Sequence, residues 1–281
     1  MDNGRRFVKT VSKKHFLDVI LFLFLLGMIA MYFRFNIFHI LPYMYPKPLS
    51  VWCLVTHILP FTFVVFNMLS NFCAIICTDS SIFDRLLPIS TCIENYIGFC
   101  DICLCDIPPR CSHCDVCNVC ILTRDHHCPF SMTCVGHYNR RYFLWFLLYM
   151  SAACFYEIVL ISYYMYNEVT IQMTDLIVLF WPIPKIITFY LNTAQTCIVL
   201  LIFSIIGVIY SSLLFIFHLN KVCKGLVCRE KQEKNYDFGL VKNLESVFGE
   251  KWYITWISPF IKSKLPYDGF NWPLPMFLYN H

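Results

Sequence analysis

Residues 99–143 read FCDICLCDIPPRCSHCDVCNVCILTRDHHCPFSMTCVGHYNRRYF. Nine of the chain's 17 cysteines lie between Cys100 and Cys134. Cys100 and Cys103 form one C-x-x-C pair, Cys114, Cys117 and Cys120 form two overlapping pairs, and His113, His126, His127 and Cys134 complete the candidate ligands. A cluster this dense is either a disulfide framework or a metal site, and the redox compartment that holds it decides between them. A C-x-x-C turn puts two thiolates on one face of a tight knuckle, as two corners of a zinc tetrahedron require.

The rest of the chain supplies the compartment. Of 281 residues, 58% are hydrophobic and 14% charged, against roughly 45–50% and ~25% in a soluble domain. Mean hydropathy is +0.59. This balance excludes disorder, a secreted mini-protein and an ordinary cytosolic enzyme. A net charge of +4 is too small for a nucleic-acid footprint, and the stretch 78–141 holds seven acidic residues against five basic ones, so no nucleic-acid partner is expected.

Four segments have the ~20 apolar residues that crossing a bilayer takes: about Phe16–Phe33, a stretch within Leu49–Cys77, about Tyr142–Tyr166 and about Ala194–Phe217. They are expected to be helical, because lipid offers the backbone no hydrogen-bond partners. The first is too long for a cleaved signal peptide and no small-x-small site follows it, so a retained anchor is expected. Lys and Arg number five in 1–15, five in 78–141 and nine in 218–281, which is 19 of 22 on one side of a four-span chain. The positive-inside rule makes those three segments cytosolic. The apolar stretch Leu176–Leu191, broken by Pro182, Pro184 and Lys185, reads as lumenal or interfacial.

The resulting architecture is an all-α polytopic membrane protein, four transmembrane helices with a zinc-stabilised Cys-rich cytosolic domain between the second and third spans. Its expected parts are a cytosolic N-terminus (1–15), a first hairpin (16–77), a cytosolic loop (78–141) with its Cys-rich region at about 98–141, a second hairpin (142–217) and a cytosolic tail (218–281). No internal repeat is expected. The lumenal loops, 34–50 and 167–193, hold no cysteine. The Cys-rich loop thus faces a reducing compartment, where metal thiolates are favoured over disulfides, and metal binding would supply folding energy that so small a module lacks.

The run Asp125-His126-His127-Cys128, its preceding Cys/His ladder and its place between spans two and three resemble the DHHC protein S-acyltransferases. The family pattern C-x2-C-x9-H-C-x2-C-x2-C-x4-DHHC-x5-C is met at every Cys and His position. Val135-Gly136, Asn139 and Phe143 follow as in the family, and Tyr236-Asp237-Phe238-Gly239, Asn243 and Val247-Phe248-Gly249 resemble its C-terminal motif. Leu240, Leu244, Val247 and Phe248 fall at helical spacing, which predicts an apolar helix face.

The resemblance implies two structural zinc ions, one on Cys100, Cys103, His113 and Cys120, the other on Cys114, Cys117, His127 and Cys134. It leaves Cys128 outside both sets as the nucleophile. His126 is the expected base, since a thiol near pKa 8.5 is only a few per cent ionised at neutral pH, and Asp125 is expected to fix its tautomer. The implied reaction is palmitoyltransfer: Cys128 takes a long-chain acyl group from acyl-CoA (palmitoyl-CoA) and passes it to a cysteine of a membrane-associated protein with cytosolic cysteines. The alternative is a membrane zinc-domain adaptor with little or no activity.

Arg140, Arg141, Lys221, Lys224 and Arg229 are candidates for the CoA phosphates, or simply the positive-inside signal. The small residues Ser151, Ala152 and Ala153 suit either an acyl chain or close helix packing. Glu157 is the one acidic residue deep in a span, with no partner evident. The resemblance also admits an accessory subunit and implies an endomembrane location, Golgi or endoplasmic reticulum. Four positions depart from the family: Phe130 for Trp, Thr133 for Asn, Thr78-Asp79-Ser80-Ser81 near the place of Asp-Pro-Gly, and Val227-Cys228-Arg229-Glu230 near the place of Thr-Thr-x-Glu. Cys223 and Cys228, just past the fourth span, are candidates for acylation themselves.

Overall fold

The computed structural model describes residues 13–45, 51–82, 98–176, 191–230 and 236–273. Four helices are long and apolar enough to cross a membrane: Phe16–Met44, Val55–Cys77, Arg140–Glu168 and Thr193–Cys223. Their α-helical segments are α1 (Lys13–Phe35), α2 (Leu59–Cys77), α3 (Arg140–Glu168) and α4 (Thr193–Cys223). The chain is thus a mostly helical integral membrane protein, as its composition requires. The helices run several residues past the apolar segments, because a helix continues through polar residues wherever packing supports it. The body of Leu176–Leu191 lies outside the described residues.

Residues 27–69 and 146–216 form one compact unit. Two π-helical turns, Asn36–Ile40 and Leu54–Ile58, each stand just before a helical proline, Pro42 and Pro60. A proline ring collides with the carbonyl four residues back, which here lies in the π turn, and a wider turn relieves the collision. The core gathers Met28, Phe35, Ile40, Leu160, Ile161, Cys197 and Leu200. Glu157, without an evident partner in the sequence, is buried and accepts a 2.8 Å hydrogen bond from Asn36 Nδ2. Tyr32 donates to the Leu200 carbonyl at 2.8 Å, and Ser151 and Ser212 oxygens meet at 2.6 Å. Ile206, Ile209, Leu213 and Val159 stay exposed, as lipid-facing positions do.

Residues 1–26, 70–145 and 217–281 form the second unit. Three two-stranded antiparallel hairpins build its Cys-rich region: β1 (Gly98–Cys100) with β2 (Cys105–Ile107), β3 (Ser112–Cys114) with β4 (Val119–Ile121), and β5 (His126–Cys128) with β6 (Thr133–Val135). The expectation of no internal repeat is corrected here. Cys100, Cys114 and Cys128 end the first strands of equivalent hairpins 14 residues apart, and each hairpin turns at a left-handed residue, Leu104 (φ 51°), Asn118 (φ 54°) and Met132 (φ 56°). The repeat hid because only backbone geometry and a few thiols are kept, with Phe99, Asp106 and Ser131 standing where the other copies carry ligands.

Asn139 locks this region to the ends of α2 and α3. Fully buried, it accepts from the Gly136 N–H at 2.8 Å and donates to the Cys134, Thr78 and Ile75 carbonyls at 2.9, 3.1 and 3.3 Å. A Cβ on Gly136 would lie 2.7 Å from the Leu122 carbonyl oxygen, so only glycine fits there. Thr78–Ser81, which departs from the family, still docks: the Ser80 carbonyl accepts from the Leu122 N–H at 2.9 Å. In the tail, α5 (Leu240–Phe248) buries Val247, Phe248 and Asn243. The expected apolar face is corrected at Leu240, which is exposed; Asn243 is buried instead, because its amide donates to the Cys223 carbonyl at 2.9 Å.

Candidate active site and metal centres

Two ligand sets come together as the resemblance assigned them, Cys100, Cys103, His113 and Cys120, and Cys114, Cys117, His127 and Cys134. Around His113 Nδ1 the sulfurs stand at 3.8, 3.2 and 4.0 Å, and around His127 Nδ1 at 3.8, 3.3 and 3.7 Å. The edges of a zinc tetrahedron with S and N ligands are about 3.5–3.8 Å, so both sets fit one zinc ion each. With four protein ligands each, neither leaves an open position, and the metal there would serve folding.

The register explains the partition. His113 pairs with Cys120 and His127 with Cys134 across their hairpins, so each hairpin offers a His–Cys pair, while each knuckle offers its two cysteines to the ion completed by the next hairpin. His127 also reaches α1: its Nε2 lies 3.0 Å from Asp18 Oδ2. Such a carboxylate orients a metal-bound imidazole, which gives this acidic residue at the head of the first span its role.

The third knuckle lacks its second thiol. Cys103 and Cys117 donate their backbone N–H to Cys100 and Cys114 sulfurs at 3.4 and 3.5 Å. Ser131 takes their place: its hydroxyl donates to the Cys128 carbonyl at 3.4 Å, and its backbone and side chain help to lower the Cys128 thiol pKa. Cys128 therefore sits where a zinc ligand sits in the other two copies, yet belongs to neither ligand set.

His126 stands beside it. Its Nδ1 lies 2.9 Å from Asp125 Oδ2, which leaves Nε2 to serve Cys128. Burial pulls the His126 imidazolium down, but the Asp125 and Cys128 hydrogen bonds outweigh it, and the pKa is pushed up to about 9. Burial raises the Cys128 thiol, but the hydrogen bonds from His126 and Ser131 prevail and its pKa is lowered. The pair is set up as thiolate and imidazolium, the form a thiol nucleophile needs.

Asp125 is fully buried and held from every side. Oδ1 accepts the Cys228 N–H at 2.9 Å and faces Arg140 Nη2 at 3.3 Å; Oδ2 faces His126, His218 Nδ1 at 3.1 Å and Cys228 Sγ at 3.3 Å. Burial would raise its pKa, but Arg140 and the two histidines hold it well below the usual carboxylate range. Phe143 covers the rings, 4.8 Å from His126 and 4.9 Å from His218.

Sequence reasoning missed His218, Ser131 and the role of Cys228. His218 was discoverable as the histidine immediately after the expected fourth span, within the helix Thr193–Cys223 of the structure. Arg140 is buried, its Nη2 donating to the Leu226 carbonyl at 2.8 Å, so its guanidinium is committed to the protein. Arg141 stays half-buried, 4.4 Å above the Tyr142 ring. Glu230, in the Thr-Thr-x-Glu departure, pairs with Arg110 at 2.8 Å, and Tyr236 and Trp272 each stack 4.5 Å from that guanidinium.

These features are a buried thiol beside an Asp-oriented histidine and two Cys/His clusters that fit zinc, all in a membrane protein. The family model for the DHHC palmitoyltransferases matches residues 93–235, just over half the chain. A probable palmitoyltransferase ZDHHC24 of Danio rerio is 36% identical over 187 residues, covering 62% of this chain and 60% of that protein. The Homo sapiens protein of that name is 29% identical over 231 residues, 80% of each chain. Palmitoyltransferase ZDHHC15 of Xenopus laevis is 31% identical over 207 residues, covering 69% of this chain and 55% of that one. The chain belongs to the DHHC palmitoyltransferase family.

Proposed function

We propose that this chain is a protein S-palmitoyltransferase that works in two steps through an acyl-Cys128 intermediate. The observation that carries the reading is Cys128 itself, a knuckle thiol outside both ligand sets and hydrogen-bonded to a histidine that Asp125 orients. The Cys128 thiolate attacks the thioester carbonyl of acyl-CoA, a new C–S bond forms, the old one breaks, and the CoA thiolate leaves with the proton held on His126. A substrate cysteine then gives its proton to His126 and attacks the acyl-enzyme carbonyl, a new C–S bond forms, the bond to Cys128 breaks, and Cys128 leaves as the thiolate paired with the His126 imidazolium. One thioester replaces another at each step, so positioning rather than driving force is what the protein supplies.

In this reading two zinc ions hold the hairpins and take no part in the transfer. A long acyl chain gains ~0.8 kcal/mol per buried CH2, which favours a donor seated among the spans. Arg141 is the proposed contact for CoA phosphates, with Arg140 acting instead on Asp125. The Cys-rich region and both termini are cytosolic, on the endomembranes of the secretory pathway. The substrates are membrane-associated proteins with cytosolic cysteines, and an accessory subunit is compatible with the scheme.

The test is label transfer. Purified protein in detergent is given labelled palmitoyl-CoA and then treated with neutral hydroxylamine. Label that hydroxylamine releases, present in wild type and lost in Cys128→Ser with zinc content retained, supports the scheme. Zinc-loaded, folded wild type that takes up no label, alone or with added membrane extract as a source of a subunit, would leave the adaptor reading instead.

A further inference from the structure

We propose that Asp125, His126, His218 and Cys228 form a third metal site, through which a zinc ion switches acyl transfer off; the inhibitory part rests on the His126–Cys128 reading above. The ligand atoms of these four residues all lie within 4.8 Å of one another. Three of them converge on one oxygen, Asp125 Oδ2, at 2.9, 3.1 and 3.3 Å, and Cys228 Sγ lies 3.5 Å from His218 Nδ1. These separations are close to those within the two structural clusters, and a few tenths of an ångström of expansion turns them into the edges of a tetrahedron around zinc.

The donor set suits the ion. One carboxylate and one thiolate balance its two charges, and two neutral imidazoles complete four-coordination, a mixture zinc accepts. Asp125 and His218 are buried and Cys228 half-buried, so an ion there is shielded from water. Asp125 Oδ1 remains with Arg140 and the Cys228 N–H, and coordination needs only the other oxygen. The thiol belongs to this chain's departure from the family pattern, which has Thr where Cys228 stands. A hydroxyl is a poor zinc ligand and a thiolate a strong one.

The consequence follows from the imidazole. When zinc binds, the Cys228 thiol proton leaves to solvent, the proton that the His126 imidazolium gives up ends on the Cys128 thiolate, and the Nδ1 lone pairs of the now neutral His126 and of His218 turn to the metal. A neutral imidazole bound through Nδ1 carries its proton on Nε2. On His126 that is the nitrogen facing Cys128, so it no longer accepts the thiol proton, and the nucleophile is left protonated.

The experiment uses full-length protein in detergent, stripped of loosely held metal by a weak chelator. Bound metal is counted as Zn2+ is added back, and Co2+ serves as the spectroscopic probe. Wild type is expected to take up one ion beyond its structural complement. Cobalt should add a thiolate charge-transfer band, and hydroxylamine-sensitive labelling should fall by about 100-fold, the contribution of a general base, recovering with chelator. Cys228→Thr and His218→Gln should lose the extra ion, the cobalt band and the zinc sensitivity, each judged against its own zinc-free rate. No extra ion in wild type, or equal zinc inhibition in Cys228→Thr, overturns the site. The cobalt band reads the site whether or not the protein acylates, while labelling without added zinc reads Cys128 alone, so the two failures stay distinct.

Discussion

Asp125 makes more contacts than any other group in the candidate site, although it touches no sulfur of a structural cluster. In the proposed scheme its charge favours protonated His126, and that imidazolium favours Cys128 as thiolate, so the rate of acyl-enzyme formation should follow the thiolate population. Because the thiol pKa is lowered, labelling should rise with pH below the ordinary thiol range of ~8.5. It should then hold level until His126 releases its proton near about 9. His126→Gln should lower the rate by about 10²–10⁴-fold and move the rise upward toward an ordinary thiol, which initial labelling rates from pH 5 to 9 would reveal. An unchanged profile in the variant would remove His126 from the chemistry. Arg110 makes a separate case. Removing its guanidinium in Arg110→Ala strands Glu230 and empties the space between two rings, with an expected loss of about 3 kcal/mol. Arg110→Lys should recover only part of it, since ammonium neither stacks nor forks; thermal unfolding in detergent measures both.

Among elements, the hairpin is the unit that matters. Its three-residue strands are too short to stand alone, and its left-handed turns at Leu104, Asn118 and Met132 carry side chains at a position glycine would fill more cheaply. Metal binding and docking must hold them closed. The link from α1 to the third hairpin runs through Asp18 and His127. Asp18→Ala should weaken metal at that one cluster by about 10–100-fold, seen as release of one of two zinc ions at lower chelator concentration. Equal release from both clusters would argue against the link. Gly136→Ala tests the docking of β6 against Leu122. The added methyl meets backbone, which gives less readily than a side chain, so the expected cost is about 1–3 kcal/mol in thermal unfolding.

For the whole molecule, the folded state of the Cys-rich region should depend on zinc, because its hairpin strands bury few apolar side chains besides Ile121, Val135 and the cysteines. A strong chelator should abolish labelling and expose the thiols to alkylation, with the spans left helical by circular dichroism. Retained labelling after both ions are gone would contradict a structural role for them. The charge distribution makes a further prediction: the N-terminus, the Cys-rich region and the tail share one side of the membrane. Protease protection in sealed vesicles, with tags at both termini, checks it, and a tag on the opposite side from the Cys-rich region would overturn the four-span topology.

The spans were legible because lipid imposes one rule on every residue of a crossing segment, and twenty apolar residues in a row state it locally. The two ligand sets were legible as candidate residues for a similar reason, since a knuckle is a local turn and its thiols are close in sequence. Their partition came only with the family resemblance, and the hairpin register supplies its physical cause. What tertiary structure alone decided are contacts between residues distant in sequence: Asp18 on His127, Asn36 on Glu157, and Asp125 among Arg140, His218 and Cys228. The members of each contact are far apart in the chain and become partners only when the elements that carry them pack. Arg140 shows the difference most directly. By sequence it is a positive charge at the cytosolic end of a span, and by structure it is buried against Asp125 because a desolvated carboxylate needs a counter-charge within reach.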